Sequence, residues 1–246
     1  MTAAGLPAWV PYCGAAPEPA EWLSRWNLDP PVVAMLALAA LLCAVRPAAG
    51  RQRASLALAI ALCAVLFVSP FCALTSALFS ARVVHHVVLG AVVAPLLVVA
   101  FRPQRYGSLA VWTAVQALVF WAWHAPPLYA WALSNDGAYW LMQASLLGSA
   151  MAFWNAVRLA PIPAAIVALL ATMVQMGLLG ALLTFAGAAL YAPHYASTLA
   201  WGFAPLEDQQ LAGLIMWAPA AGLYLAAALA LLARWFGRQG EEAPAR

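Results

Sequence analysis

Long stretches without a charged side chain constrain this chain more than any motif does. Residues 106–135 and 159–206 carry no Asp, Glu, Lys or Arg, and between Arg53 and Arg102 the only charge is Arg82. A helix facing water needs a polar side, so runs of this kind call for an apolar solvent. A membrane span takes about 20 apolar residues. Only 8% of the 246 residues are charged and 66% are hydrophobic, against about 25% and 45–50% in soluble domains. That balance excludes a soluble enzyme, a disordered chain and a small disulfide scaffold. No basic stretch is interleaved with aromatics, so the expected partner is the lipid bilayer and not a nucleic acid.

The fold expected is an all-α polytopic membrane bundle. Seven transmembrane helices are placed at roughly 30–46, 54–74, 79–101, 107–124, 138–158, 162–187 and 208–235. Residues 1–29, rich in proline and tryptophan, read as an outer interfacial segment, with no basic start and apolar core to mark a signal peptide. Residues 30–237 form the membrane domain and 238–246 a cytoplasmic tail. All eleven cationic residues are arginine. Arg46, Arg51, Arg53, Arg102, Arg105, Arg158, Arg234, Arg238 and Arg246 fall on one side of this map, and only Arg25 and Arg82 on the other. The positive-inside rule then puts the N-terminus out and the C-terminus in.

The map also gathers the histidines. His85 and His86 open the third helix, His124 closes the fourth before Pro126 and Pro127 end it, and His194 follows the sixth. All four are expected at the outer rim, within reach of water. Imidazoles from separate helices at one level are the raw material of an open metal site. His85 and His86 point about 100° apart and do not both suit one ion. Arg82 shares a face with His86, opposes a cation there and favours an anion, and Glu207 or Asp208 could pair with it across the bundle. Glu207 and Asp208 also suit the dipole of their own helix N-terminus. Met173, Met176 and Met216 offer thioethers to Cu(I), or simply pack. Gln175, mid-span, needs an interhelical hydrogen bond. Cys13 and Cys72 both fall outside and could pair. There is no nucleophile with a paired base, no zinc-protease signature and no phosphate loop, so no enzyme is expected.

Three stretches together resemble the CtaG family of membrane-integral cytochrome c oxidase assembly factors. They are SALFSARVVHHVVLGAVVAPLLVVA (Ser76–Ala100), WHAPPLYAWAL (Trp123–Leu133), and LLGALLTFAGAALYAPHYA followed by WGFAPLEDQQLAGLIMW, ending at Trp217. The resemblance implies a seven-helix bacterial inner-membrane protein that helps mature haem–copper oxidases by handling copper, with oxidase subunits or copper chaperones as partners. It implies metal ligands at His86 and His124, with His85 as a substitute, and functional roles for Arg82, Tyr129, Glu207, Asp208, Gln209 and Trp217. Where the family carries H-M-x-x-H this chain reads Arg82 to His86, and where it carries H-x-x-x-H this chain aligns Tyr139 and Gln143. Two alternatives stay open on the residues themselves. One is a haem-binding electron carrier using His85 or His86 with His124; the other is a small-solute or metal transporter lined by Met173, Gln175 and Met216.

Overall fold

The computed structural model describes residues 9–45, 50–104 and 107–242, and these hold helices and no strand. The tail beyond residue 242 and the loop arginines Arg46 and Arg105 lie outside the described residues. Proline and short polar residues set the helix boundaries. Helix α1 (Pro30–Val45) starts on two prolines, whose missing N–H groups cost nothing in a first turn. Helix α2 (Gly50–Phe67) stops where Pro70 could not continue it. Ser69 then caps a short α3 (Pro70–Ala77), its hydroxyl accepting from the Phe71 N–H at 3.2 Å. The expected span 54–74 is thus two helices with a break between them.

Leu78, extended, separates α3 from a rod made of α4 (Phe79–Val88), a π turn (Leu89–Val93) and α5 (Ala94–Phe101). The π turn lies just before Pro95, which has no N–H to give the normal ladder, and the wider register absorbs that loss. The same device recurs later. Helix α10 (Pro205–Ile215), a π turn containing Pro219 (Met216–Ala220) and α11 (Ala221–Glu242) form a second continuous rod. Between the rods lie α6 (Leu109–His124), α7 (Pro126–Ala132), α8 (Asp136–Leu159) and α9 (Ile162–Thr184). Pro126 and Pro127 do end α6, but they also occupy the first turn of α7, a short helix that the sequence reading treats as loop.

Among the described residues four segments are long and apolar enough to cross a membrane: Gly50–Phe67, Phe79–Phe101, Ile162–Thr184 and Pro205–Gly237. Helices α1 and α6 are apolar but shorter. Helix α8 has 24 residues, and it buries Gln143, Ser149 and Asn155 against its neighbours. It packs against α5 and α6 in the middle of the bundle, where its polar groups face protein.

Residues 9–29 lie across the end of the bundle at which α4 begins. Cys13 is disulfide-bonded to Cys72 of α3, with the two Cα atoms 5.4 Å apart. Tyr12 stacks on Tyr139, ring centroids 4.7 Å apart, and its hydroxyl donates to Asp29. Asn27 donates from its backbone to the Val68 carbonyl and from its side chain to the Phe67 carbonyl, both at 2.9 Å. These bonds satisfy the frayed C-terminus of α2. Trp201, in the long connection from α9 to α10, donates to the Pro17 carbonyl at 3.0 Å. Together the N-terminal segment and that connection close this end.

Candidate functional site

Helix α4 starts without a side-chain cap of its own, because Leu78 has no oxygen to offer. Asp208, in the first turn of α10, supplies one from across the bundle. Its carboxylate accepts the Phe79 N–H at 2.6 Å, the Ser80 N–H at 3.2 Å and the Ser80 hydroxyl. A carboxylate on a helix N-terminus gains both charge-assisted hydrogen bonds and the favourable end of the dipole. Asp208 therefore pins α10 to α4 and sets where the next two turns of α4 point. Glu207 turns outward and accepts the Ala204 N–H at 2.7 Å, capping its own helix. The expected ion pair from Glu207 or Asp208 to Arg82 does not form, since both carboxylates are spent on backbone N–H groups.

Arg82, His85 and His86 all point into the bundle, with 0%, 0% and 1% of their surfaces exposed. His124 and His194 are 3% and 2% exposed. The expectation that the four histidines sit at a wet rim is thus corrected: residues 9–29 and the connection around Trp201 cover them. The Arg82 guanidinium lies 5.4 Å over the Tyr139 ring, and it has no hydrogen-bond partner among the described residues. Its charge disfavours a proton on His194, in the connection before α10.

His85 turns away from His86 toward α2 and α3, edge-on to Phe67 at 4.9 Å between centroids, in an apolar setting. Its ring is 5.9 Å from that of His86, as the 100° step around a helix requires. His86 instead faces His124 at the end of α6, with centroids 5.4 Å apart and planes nearly perpendicular. The His124 Nδ1 is 2.7 Å from the Phe120 carbonyl. A carbonyl only accepts, so Nδ1 carries the proton and the Nε2 lone pair is left free. Neither that Nε2 nor either nitrogen of His86 has a hydrogen-bond partner among the described residues.

His194 is engaged otherwise. Its Nδ1 donates to the Ala77 carbonyl at 3.2 Å, and its Nε2 accepts the Tyr129 hydroxyl at 2.6 Å. Burial, and after it the Arg82 charge, holds its pKa down to about 3. Tyr129 and His194 thus tie α7 to the connection before α10 and to the end of α3. Tyr191 stacks on Phe79 at 3.7 Å and donates to the His124 carbonyl at 2.7 Å. Burial raises its pKa. Gln209 holds the same connection from the α10 side, accepting the Leu190 N–H at 2.7 Å. Trp217 is 45% exposed and edge-on to Phe185, well away from the imidazole pair. Gln175 accepts the Trp121 indole N–H at 2.7 Å, the interhelical bond its mid-span position demands.

Beside His86 lies a small chamber of about 10 Å³, enough for about one water-sized guest. Gln116, Ser149, Met176 and Tyr224 line it together with Gly90 of the first π turn. Gln116 donates to the Tyr224 hydroxyl at 3.5 Å, and its carbonyl oxygen is unpartnered among the described residues. Gln116 and Tyr224 are absent from the sequence-derived set of candidates. Their signal was available, since each is a polar group in the middle of an apolar run. No group of three or more His, Cys, Asp or Glu that could hold a metal occurs among the described residues.

Residues 104–238, more than half of the chain, match the family described as the cytochrome c oxidase caa3 assembly factor. The chain belongs to this family. The match includes His124, Tyr129, Asp208, Gln209 and Trp217, whereas Arg82, His85 and His86 lie upstream of it. No curated protein and no solved structure matches the chain. The three positions at which the resemblance expects imidazoles and this member has none, Arg82, Tyr139 and Gln143, come together in space. Arg82 lies over the Tyr139 ring, and Gln143 is one turn further along the same face of α8.

Proposed function

We propose that this assembly factor handles Cu(I) for cytochrome c oxidase in the bacterial inner membrane, at the periplasmic face, without catalysing a reaction. Seven spans with the N-terminus out and the C-terminus in complete that reading. The observation that carries it is the pair His86 and His124, two imidazoles from different helices facing each other with free nitrogens. Imidazole–metal bonds of about 2 Å bring two rings bound to one ion to roughly this separation. Met176, which lines the chamber with His86, adds a thioether, the donor that selects Cu(I).

The neighbouring Arg82 argues for the monovalent ion, since the repulsion it exerts scales with the charge of the guest. It also argues for a weak site, and a weak site suits a protein that must pass its cargo on to an oxidase subunit or accept it from a copper chaperone. The chamber is far too small for a macrocycle, which weighs against the haem-carrier reading. Deleting the gene and complementing with His86→Ala or His124→Ala, under low copper, tests the proposal. The variants should accumulate normally in the membrane yet leave the oxidase at least about fivefold depleted in copper. A fully copper-loaded oxidase in either strain would refute the role of the pair.

A further inference from the structure

The opposite end of the bundle carries a second cluster that the assembly role does not use. The rod Phe79–Phe101 begins beside the histidines and runs for 23 residues to Arg102, about 34 Å of helix. There a cavity of about 390 Å³ is lined by Arg51 of α2, Arg102 after α5, Arg158 of α8 and Arg234 of α11, with Gln52 and Val99. Among the described residues no acid lines it.

Arg102 takes a left-handed conformation, φ 46°, a place where glycine is the usual occupant. Arg158 is anchored by its Nε and Nη2 to Asn155 Oδ1, at 3.1 and 2.7 Å, and by Nη2 to the Pro103 carbonyl. Sharing Val99, Arg158 and Arg234 with this cavity, an apolar groove of about 370 Å³ runs along Pro95, Val98, Trp154 and Leu231.

Arginines at helix C-termini are ordinary where they merely complement dipoles or mark a cytoplasmic side. Here only Arg102 and Arg158 end helices, whereas Arg51 lies in the first turn of α2 and Arg234 within α11, and all four converge on one cavity that continues into an apolar groove. It matches a molecule with a negative head and a hydrocarbon tail. We infer that this end of the bundle binds an anionic phospholipid, its phosphate among Arg51, Arg102, Arg158 and Arg234 and one acyl chain along Trp154 and Leu231. Guanidinium groups pair phosphate oxygens two at a time. Four cations, with no carboxylate among the described lining residues, exceed the charge of one phosphodiester, so a headgroup with two phosphodiesters is preferred over one with a single phosphate. Basic pockets between membrane helices recognise lipid headgroups on the same physical grounds.

The test is native mass spectrometry of the full-length, detergent-purified protein, delipidated and then offered defined lipids. Diphosphatidylglycerol should be retained most strongly, phosphatidylglycerol less, and phosphatidylcholine not at all. The double variant R51Q/R234Q, which touches neither the Arg158 anchor nor the histidine end, should weaken retention roughly 30-fold. R51K/R234K, which keeps the charge, should stay within about fivefold of the parent and so separates charge loss from misfolding. Equal retention of phosphatidylcholine, unchanged retention in R51Q/R234Q, or displacement of the lipid by millimolar pyrophosphate alone would each overturn the inference, the last in favour of a soluble phosphate ligand.

Discussion

His194 shows how one side chain can be recruited for structure while its neighbours stay chemically free. Both of its nitrogens are committed, one to a carbonyl and one to a phenol, and its pKa is held down to about 3 by burial and the Arg82 charge. The folded state therefore keeps it neutral, whereas in the unfolded chain it takes a proton below about 6.5. Between those values the unfolded state binds more protons, so His194 stabilises the fold fully above pH 6.5 and loses that contribution as the pH falls. From pH 7 to pH 5 the loss is about 2 kcal/mol. Thermal unfolding in detergent should reveal it, and His194→Gln should flatten that part of the pH profile; an identical slope in the variant would remove His194 as its source. Asp208 makes the same point with the opposite charge. An acid in the first turn of α10 reads as serving its own helix dipole, yet its oxygens go to the start of α4. Sequence position reveals which helix an acid sits on, not which N-terminus it faces.

At the scale of helices, α9 and α10 cross in close contact at Gly180 and Gly213. A Cβ added at Gly180 would meet the Gly213 carbonyl oxygen at 2.6 Å and the Trp217 nitrogen at 2.8 Å, both backbone atoms that cannot swing aside. The two glycines let these backbones touch, which is how helices gain attraction in a membrane that supplies no hydrophobic drive between them. Gly180→Ala is accordingly expected to cost about 1–3 kcal/mol through overpacking, read as a lower melting temperature of the purified protein. Gly148→Ala, where nothing lies within 4 Å, is the control that should leave it unchanged or raise it slightly, since alanine is the better helix former. Glycines for close helix contact are only partly legible in the sequence: Gly177, Gly180, Gly187 and Gly213 read alike, yet Gly187 faces open space and Gly177 makes only an ordinary contact at 3.6 Å. The two π turns are only half legible. Pro95 and Pro219 announce a disturbed ladder, but a kink, a break and a π turn all answer that disturbance, and packing chooses among them.

For the molecule as a whole, what matters is how the end that holds His86 and His124 is covered. Residues 9–29 close the histidine end, and the Cys13–Cys72 disulfide staples them to α3. The bridge spans 59 residues of sequence, and one of that size is worth about 2–4 kcal/mol. Reducing it in the purified protein should loosen the cover and raise amide hydrogen exchange in residues 120–132 and 191–204 about tenfold or more, with little change in α9. Unaltered exchange in those segments after full reduction would mean that the segment stays seated without its staple. Cys13 and Cys72 are readable in the sequence as a possible pair; that the pair fastens a cover over the histidines is not, because nothing local in residues 9–29 states what lies beneath them.

The linear order of residues already settles the solvent and the general plan. Charge-free runs demand an apolar surrounding, proline and short polar residues place the breaks, and the resemblance to oxidase assembly factors rests on strings such as LEDQQLAG that a linear reading can hold. Which polar groups meet follows from the packing in three dimensions. His86 and His124 are 38 positions apart, and their approach follows from Asp208 fixing the start of α4 and Tyr191 holding the end of α6. The same holds for the burial of all four histidines and for the four arginines that close on one cavity. Periodicity gives the face of a helix, but the rotation and depth at which that face meets its neighbours are set by packing between segments far apart in the chain.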